Sequence, residues 1–182
     1  KNKIILIIYH LKIYVMKKVI KMKIEKIKLV ITDVDGVLTD GGMYYTKQGD
    51  IMKRFYARDG MGVTLLRNIG IPTIIITGEQ TQMVKMWSKK MKIKQLLDGI
   101  KQKELTLNEI CKNNNLNLDQ IAYIGDDIND FNILKKVGLA VTPNDGSKSI
   151  RKICHYVCST NGGHGAYREL ADLILEVKNG KK

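Results

Sequence analysis

The chain has 182 residues and 44% hydrophobic content, a single-domain length that can bury a core without metals or disulfides. Its net charge of +13 is concentrated at the start: residues 1–28 hold nine Lys and one Glu and carry +8, leaving +5 for the other 154 residues. The folded part is therefore only mildly basic, which suits a small anionic substrate, and aromatics at 6% exclude a stacking platform for nucleic acid.

Residues 1–24 form a basic, apolar extension to which no function is assigned, and residues 25–182 form the globular domain. Within the extension the longest nearly apolar stretch, residues 4–11, is too short to span a bilayer, so no membrane partner is expected. Met16 or Met22 offers an internal start.

The first strand is expected over residues 29–32, where Leu29, Val30, Ile31 and Thr32 lead into Asp33-Val34-Asp35-Gly36. Alternate strand residues point the same way, so Asp33 and Asp35 face one side where the strand ends. An apolar run of this kind reads as a buried parallel strand, and ligand sites in open α/β sheets lie beyond the carboxyl ends of such strands. Taken alone, Asp-x-Asp-Gly also suits a capped turn.

Residues 43–46 and 51–56 flank the four-residue turn Lys47-Gln48-Gly49-Asp50 and predict a β-hairpin inserted above the first strand. A helix follows from Asp59 to about Ile69, with Val63, Leu65, Leu66 and Ile69 as its apolar set and Gly70 as its stop. Residues 73–76 form the second strand and end at Thr77-Gly78. The spacing then predicts a helix over 79–91, where Met83, Met86 and Trp87 form a packing stripe. A strand over 93–97 and a helix over 102–113 come next. The strand at 121–124 leads into Gly125-Asp126-Asp127, with Asp130 three residues on, and precedes a helix over 129–137. A strand at 139–142, a turn at 143–146, a strand near 156–158 and a helix over about 166–177 complete the chain. Strands alternating with helices imply right-handed crossovers, hence an α/β, Rossmann-like parallel sheet between helical layers.

Strand tip after strand tip thus ends in a polar group: Asp33 and Asp35, Thr77, and Asp126, with Lys103 between the second and third. A phosphate monoester is a dianion that repels a carboxylate nucleophile unless cations neutralise both. Carboxylates serve as nucleophiles through aspartyl-phosphate intermediates, and Mg²⁺ is the natural neutraliser because it prefers oxygen ligands and shares itself with phosphate. Asp33, Asp126 and the backbone carbonyl of Asp35 would bind the metal. Lys103 and Thr77 would contact the transferred phosphoryl oxygens, and Asp35 would protonate the leaving alkoxide and later deprotonate water. Asp127 and Asp130 would hold the metal waters and the lysine.

The order Asp33-x-Asp35, Thr77, Lys103 and Gly125-Asp126-Asp127-x-x-Asp130 resembles the haloacid dehalogenase superfamily. Residues 33–41, 58–62 and 162–169, the last reading Gly-Gly-His-Gly-Ala-Tyr-Arg-Glu, are similar to the 3-deoxy-D-manno-octulosonate 8-phosphate phosphatase group over about residues 25–178. The resemblance implies a capless, Mg²⁺-dependent phosphatase of lipopolysaccharide sugar synthesis that assembles as a homotetramer. Spacing supports the absence of a cap independently: 41 residues separate Asp35 from Thr77 and 25 separate Thr77 from Lys103, too few for another domain. An open site of this kind expects cover from a neighbouring subunit; the hairpin over 43–56 reads either as the piece handed across or as an ordinary edge hairpin.

Arg58 and Arg168 are candidates for the carboxylate of the sugar acid. The glycines at 162, 163 and 165 precede a helix and read either as an anion-binding entry or as a plain loop, and His164 reads as a solvent-exposed loop residue. Glu79 and Lys90 resemble the pattern of relatives acting on nine-carbon sugar acid 9-phosphates, which makes these the alternative substrates. Glu79 equally suits a helix N-terminus. Similar modules fused to acylneuraminate cytidylyltransferases serve assembly, a competing non-catalytic reading. Cys111, Cys154 and Cys158 lack CxxC spacing and further zinc ligands, so free thiols in a reducing cytoplasm are expected.

Overall fold

The computed structural model describes residues 18–180; the stretch at 4–11 and Met16 lie outside the described residues. Residues 18–26 are helical (α1), with Ile24 and Ile27 fully buried and Ile20 packed on the core. The globular body thus reaches back past residue 25 into the segment read as extension. Among the described residues no helix is long and apolar enough to cross a membrane.

The remaining elements are β1 (Leu29–Thr32), β2 (Tyr44–Thr46), β3 (Gly49–Met52), α2 (Ala57–Asn68), β4 (Thr73–Ile76), α3 (Gln82–Met91), β5 (Gln95–Leu97), α4 (Leu107–Asn114), β6 (Ile121–Ile124), α5 (Phe131–Leu134), β7 (Leu139–Thr142), α6 (Lys148–Ile153), β8 (Tyr156–Val157) and α7 (Ala166–Asn179). Six strands form one sheet in the order β5-β4-β1-β6-β7-β8, parallel throughout. The hairpin β2–β3 stands apart as an antiparallel pair, and there is no cap domain among the described residues.

The period of two in β1 divides its side chains between the helical layers. Leu29 and Ile31 pack with Leu107 and Ile110 of α4, Leu134 of α5 and Ile150 of α6. Val30 faces the other side, with Val63 and Leu66 of α2 and Tyr167, Leu170 and Ile174 of α7. Each fully buried aliphatic side chain of this kind contributes about 1.5–3 kcal/mol.

Several boundaries differ from expectation, for local reasons. The helix expected from residue 79 begins at Gln82, because Thr81 caps it by accepting Val84 N–H on its hydroxyl at 3.3 Å. The helix expected over 129–137 shrinks to α5. A 3₁₀ turn precedes it, where Asp130 folds its carboxylate back onto Asp126 N–H at 2.9 Å. Lys103 likewise opens a 3₁₀ turn rather than the α-helix itself. The hairpin closes tightly on Lys47 and Gln48, with Thr46 paired to Gly49. Helix α6 had no counterpart in the sequence reading; at six residues it is too short to show a period.

Candidate active site

At the carboxyl edge of the sheet a cavity of about 680 Å³ opens between the tips of β1, β4 and β6. Asp33, Asp35, Thr77, Glu79, Asp126 and Asp127 all line it. Asp33 leaves β1 with its backbone N–H still bonded to Ile124 O at 3.0 Å, so the strand holds it in register to its last atom. The chain then turns at Gly36, where φ is +78° and a side chain would meet Asp126 Oδ2 at 2.0 Å. Only glycine permits both this left-handed turn and the approach of the second acid.

Below the cavity floor lies a buried ionic network. Lys103, fully buried, places Nζ 2.8 Å from Asp33 Oδ2 and 2.7 Å from Asp130 Oδ1. Asp130 Oδ1 also accepts from Tyr123 OH at 2.6 Å, while its Oδ2 accepts from the backbone N–H groups of Asp126 at 2.9 Å and Asp127 at 3.5 Å. Four donors saturate this carboxylate. Asp33 takes one donor at each oxygen, Val34 N–H at 2.7 Å and Lys103, and so retains lone pairs toward the cavity.

Asp33, Asp126 and Asp130 bring carboxylate oxygens within 4.8 Å of one another. Burial, with the charge of Asp130 behind it, pushes Asp33 up to about 7 against the pull of Lys103. Burial and the neighbouring Asp33, Asp130 and Asp127 push Asp126 up to about 8. Burial opposes the Lys103 ammonium, yet Asp33 and Asp130 hold it above the usual lysine range. Fully ionised, the three carboxylates would exceed the one ammonium by two negative charges, which is why burial and mutual repulsion hold protons on and why the set fits a hard divalent cation with oxygen ligands. Saturated Asp130 is unsuited to bind it, leaving Asp33 and Asp126 as the side chains facing the cavity.

Thr77 is buried at the tip of β4, where its hydroxyl accepts Glu79 N–H at 3.4 Å. Glu79 sits on the exposed rim, 3.9 Å from Lys101 Nζ. The other three expected contacts fall elsewhere in the chain. Arg58 is exposed on the first turn of α2. Lys90 borders a different groove, beside Trp87 and Met91, so it is not brought to Glu79. Arg168 pairs its Nε with Asp172 Oδ1 at 2.7 Å, one turn along α7. The glycines before α7 form no open anion site: a side chain at Gly162 would meet Gly36 O at 1.9 Å, so the loop packs against the turn after β1. The first-turn N–H of Arg168 is already taken by Asp59 Oδ1 at 2.8 Å. His164 is exposed, as expected, with Nε2 2.8 Å from Arg54 Nη2.

One prominent residue of the cavity wall escaped the sequence reading. Lys53, just past β3, sets Nζ 2.6 Å from Asp35 Oδ1 and 3.6 Å from Asp50 Oδ2, and its side chain is only 3% exposed. Its position at the end of a hairpin expected to overhang the first strand was the available signal.

The haloacid dehalogenase-like hydrolase family matches residues 73–170. The 3-deoxy-D-manno-octulosonate 8-phosphate phosphatase KdsC of Haemophilus influenzae is 35% identical over 158 residues, 87% of this chain and 88% of that protein. The Yersinia pestis protein of the same name is 38% identical and spans 82% of this chain and 80% of its own length. A crystal structure of the Moraxella catarrhalis phosphatase, in complex with magnesium, phosphate and KDO, superposes with a TM-score of 0.85 at 35% identity, covering 88% of this chain and 92% of that one. With that likeness running through nearly all of both chains and the acids gathered at one sheet edge, this chain belongs to the 3-deoxy-D-manno-octulosonate 8-phosphate phosphatase family of haloacid dehalogenase-like hydrolases.

Proposed function

We propose that this protein is a Mg²⁺-dependent phosphatase that hydrolyses 3-deoxy-D-manno-octulosonate 8-phosphate to the free sugar acid and phosphate, a step of lipopolysaccharide sugar synthesis. The observation that carries the reading is Lys103 buried between Asp33 and Asp130, with Asp126 beside them at the cavity. Asp33 and Asp126, with the backbone carbonyl of Asp35, would hold Mg²⁺. When bound, the ion supplies charge neutralisation that lets an anionic ester approach a carboxylate.

In this mechanism Asp33 attacks phosphorus, the bond to the sugar oxygen breaks, and Asp35 delivers a proton to the departing alkoxide. Water then attacks the aspartyl phosphate while Asp35 takes its proton, and Asp33 is regenerated as phosphate leaves. Lys103 orients Asp33 and offers its charge to the transferred oxygens, Thr77 adds a hydroxyl donor, and Asp130 with Asp127 keeps the Asp126 loop in place. Arg58, Arg168, Glu79 and Lys90 remain candidates for substrate contacts, the first two and the last only through a neighbouring subunit's site.

A cytoplasmic homotetramer is the assembly this reading includes. The hairpin supports it: Met43, Tyr45 and Ile51 are 64%, 60% and 59% exposed, an apolar display a neighbouring subunit would bury. The test is phosphate release with Mg²⁺ from the eight-carbon 8-phosphate and from a nine-carbon sugar acid 9-phosphate, compared by kcat/KM. Preference for the eight-carbon ester is expected. Preference for the nine-carbon ester would make Glu79 at the rim a specificity residue, and release from neither would return the reading to a non-catalytic module.

A further inference from the structure

The carboxylate of Asp35 is not evenly held. Its Oδ1 accepts from Lys53 Nζ at 2.6 Å and from the Thr39 hydroxyl at 3.2 Å, whereas its Oδ2 accepts from no described residue. Thr39 follows Asp35 in the same turn, but Lys53 arrives from the far end of the hairpin. An ammonium with its side chain 3% exposed is expensive to bury, and Lys53 is retained there although Asp50 keeps an unpartnered Oδ1 beside it. A buried ion pair of this kind is by itself weak evidence of a stabilising role.

We propose that Lys53 is a positioning residue. With Thr39 it pins Oδ1 of Asp35 and leaves Oδ2 as the oxygen that transfers the proton. This rests on the phosphatase reading above and adds a residue from the hairpin to it. As the phosphorus–oxygen bond breaks, the electron pair stays on the sugar oxygen, which takes the proton from Oδ2 and leaves Asp35 as carboxylate. The attacking water returns a proton to the same oxygen in the second step.

A sugar alkoxide is a strong base and needs that proton; p-nitrophenolate is a weak one and leaves without it. The experiment therefore measures kcat and KM of wild type, Lys53→Met, Lys53→Arg and Thr39→Val on the best sugar acid phosphate and on p-nitrophenyl phosphate, with Mg²⁺. General acid catalysis contributes about 10²–10⁴-fold, and misplacing its donor forfeits part of this. Lys53→Met is expected to lose kcat on the sugar ester at least about tenfold more than on the aryl ester. Lys53→Arg recovers part of the loss, and Thr39→Val shifts the ratio the same way by less. Should Lys53→Met not fold, Thr39→Val and Lys53→Arg carry the same ratio test. Equal losses on both esters, or a raised KM for the sugar with unchanged kcat, would overturn the assignment while leaving the phosphatase intact. Wild type hydrolysing neither ester would end the phosphatase reading, and this one with it.

Discussion

Asparagine at position 130 is the most informative single change in the ionic network. Asp130 accepts at both ends: Lys103 Nζ and Tyr123 OH on Oδ1, and the N–H groups of Asp126 and Asp127 on Oδ2. Asparagine has the same shape but only one accepting end, the other being a two-proton donor. Whichever way the amide turns, donors face donors. Turning it toward the backbone costs least, since the Asp127 contact is already long at 3.5 Å. Even so, the half-buried Asp126 N–H loses its acceptor, a cost of about 1–3 kcal/mol, and the bond to Lys103 is no longer charge-assisted. Relief of repulsion on Asp33 and Asp126 works the other way, leaving a net loss of about 2–3 kcal/mol, or roughly 4–12 °C in Tm for a domain of this size. Urea unfolding in EDTA at pH 7 measures it, with phosphate release followed in parallel. Tyr123→Phe removes one of the four donors, so the two changes together are expected to cost less than their sum. Asp130→Asn unfolding at the wild-type midpoint would refute the network as described.

Asp33→Asn is expected to abolish phosphate release while the far-ultraviolet circular dichroism stays native; normal turnover would remove Asp33 as nucleophile. Mg²⁺ at about 100 times its Kd is expected to stabilise wild type by about 2.7 kcal/mol, and thermal unfolding of Asp126→Ala should show little of this gain. Asp59 is fully buried under α7, and burial pushes it up to about 6. The unfolded chain therefore releases this proton first, near the usual aspartate pKa, and the contribution of Asp59 to stability falls as pH rises from about 4 to about 6, by about 2–3 kcal/mol. Asp33 and Asp126, raised as well, add falls of their own that run on to higher pH; Asp59→Asn should lack only the Asp59 part, between about 4 and about 6, so identical pH profiles for the two proteins would contradict it. Gly162→Ala forces a methyl group onto Gly36 O and is expected to lower both Tm and kcat; a silent substitution would mean the loop can yield.

The central strands and their acids were legible because a parallel strand buried on both faces must be a continuous apolar run, and a charged residue ending it has few other places to be. Leu29 to Asp35 and Ile121 to Asp127 say this directly. The helices were legible where a stripe repeats, as in α3 and α7, and illegible in α6. Lys53 was hidden because its place depends on the hairpin folding back over β1, a tertiary event with no local period. Arg58, Lys90 and Arg168 show the limit of residue type as a signal: it suggested a substrate anion, but within one chain helical phase sends Lys90 to another groove and gives Arg168 its own acid at Asp172, four residues on. The glycines at 162 and 163 carried an ambiguous signal, since a turn, an anion cradle and close packing all call for glycine. Here packing against Gly36 decides.

The strand order also governs how the chain can be born. β1 lies between β4 and β6, and Leu29 finds its partner only in Ile121. A ribosome-bound chain that has emitted residues up to about 100 thus presents a largely apolar strand with one edge open, the kind of template that recruits other chains. Asp33 meanwhile waits for Lys103 and then Asp130, and α2 waits for α7, the final helix, to cover it. Folding is consequently postponed until synthesis is nearly over, and a product truncated before Gly125 is expected to aggregate or occupy a chaperone rather than persist as a soluble half-domain.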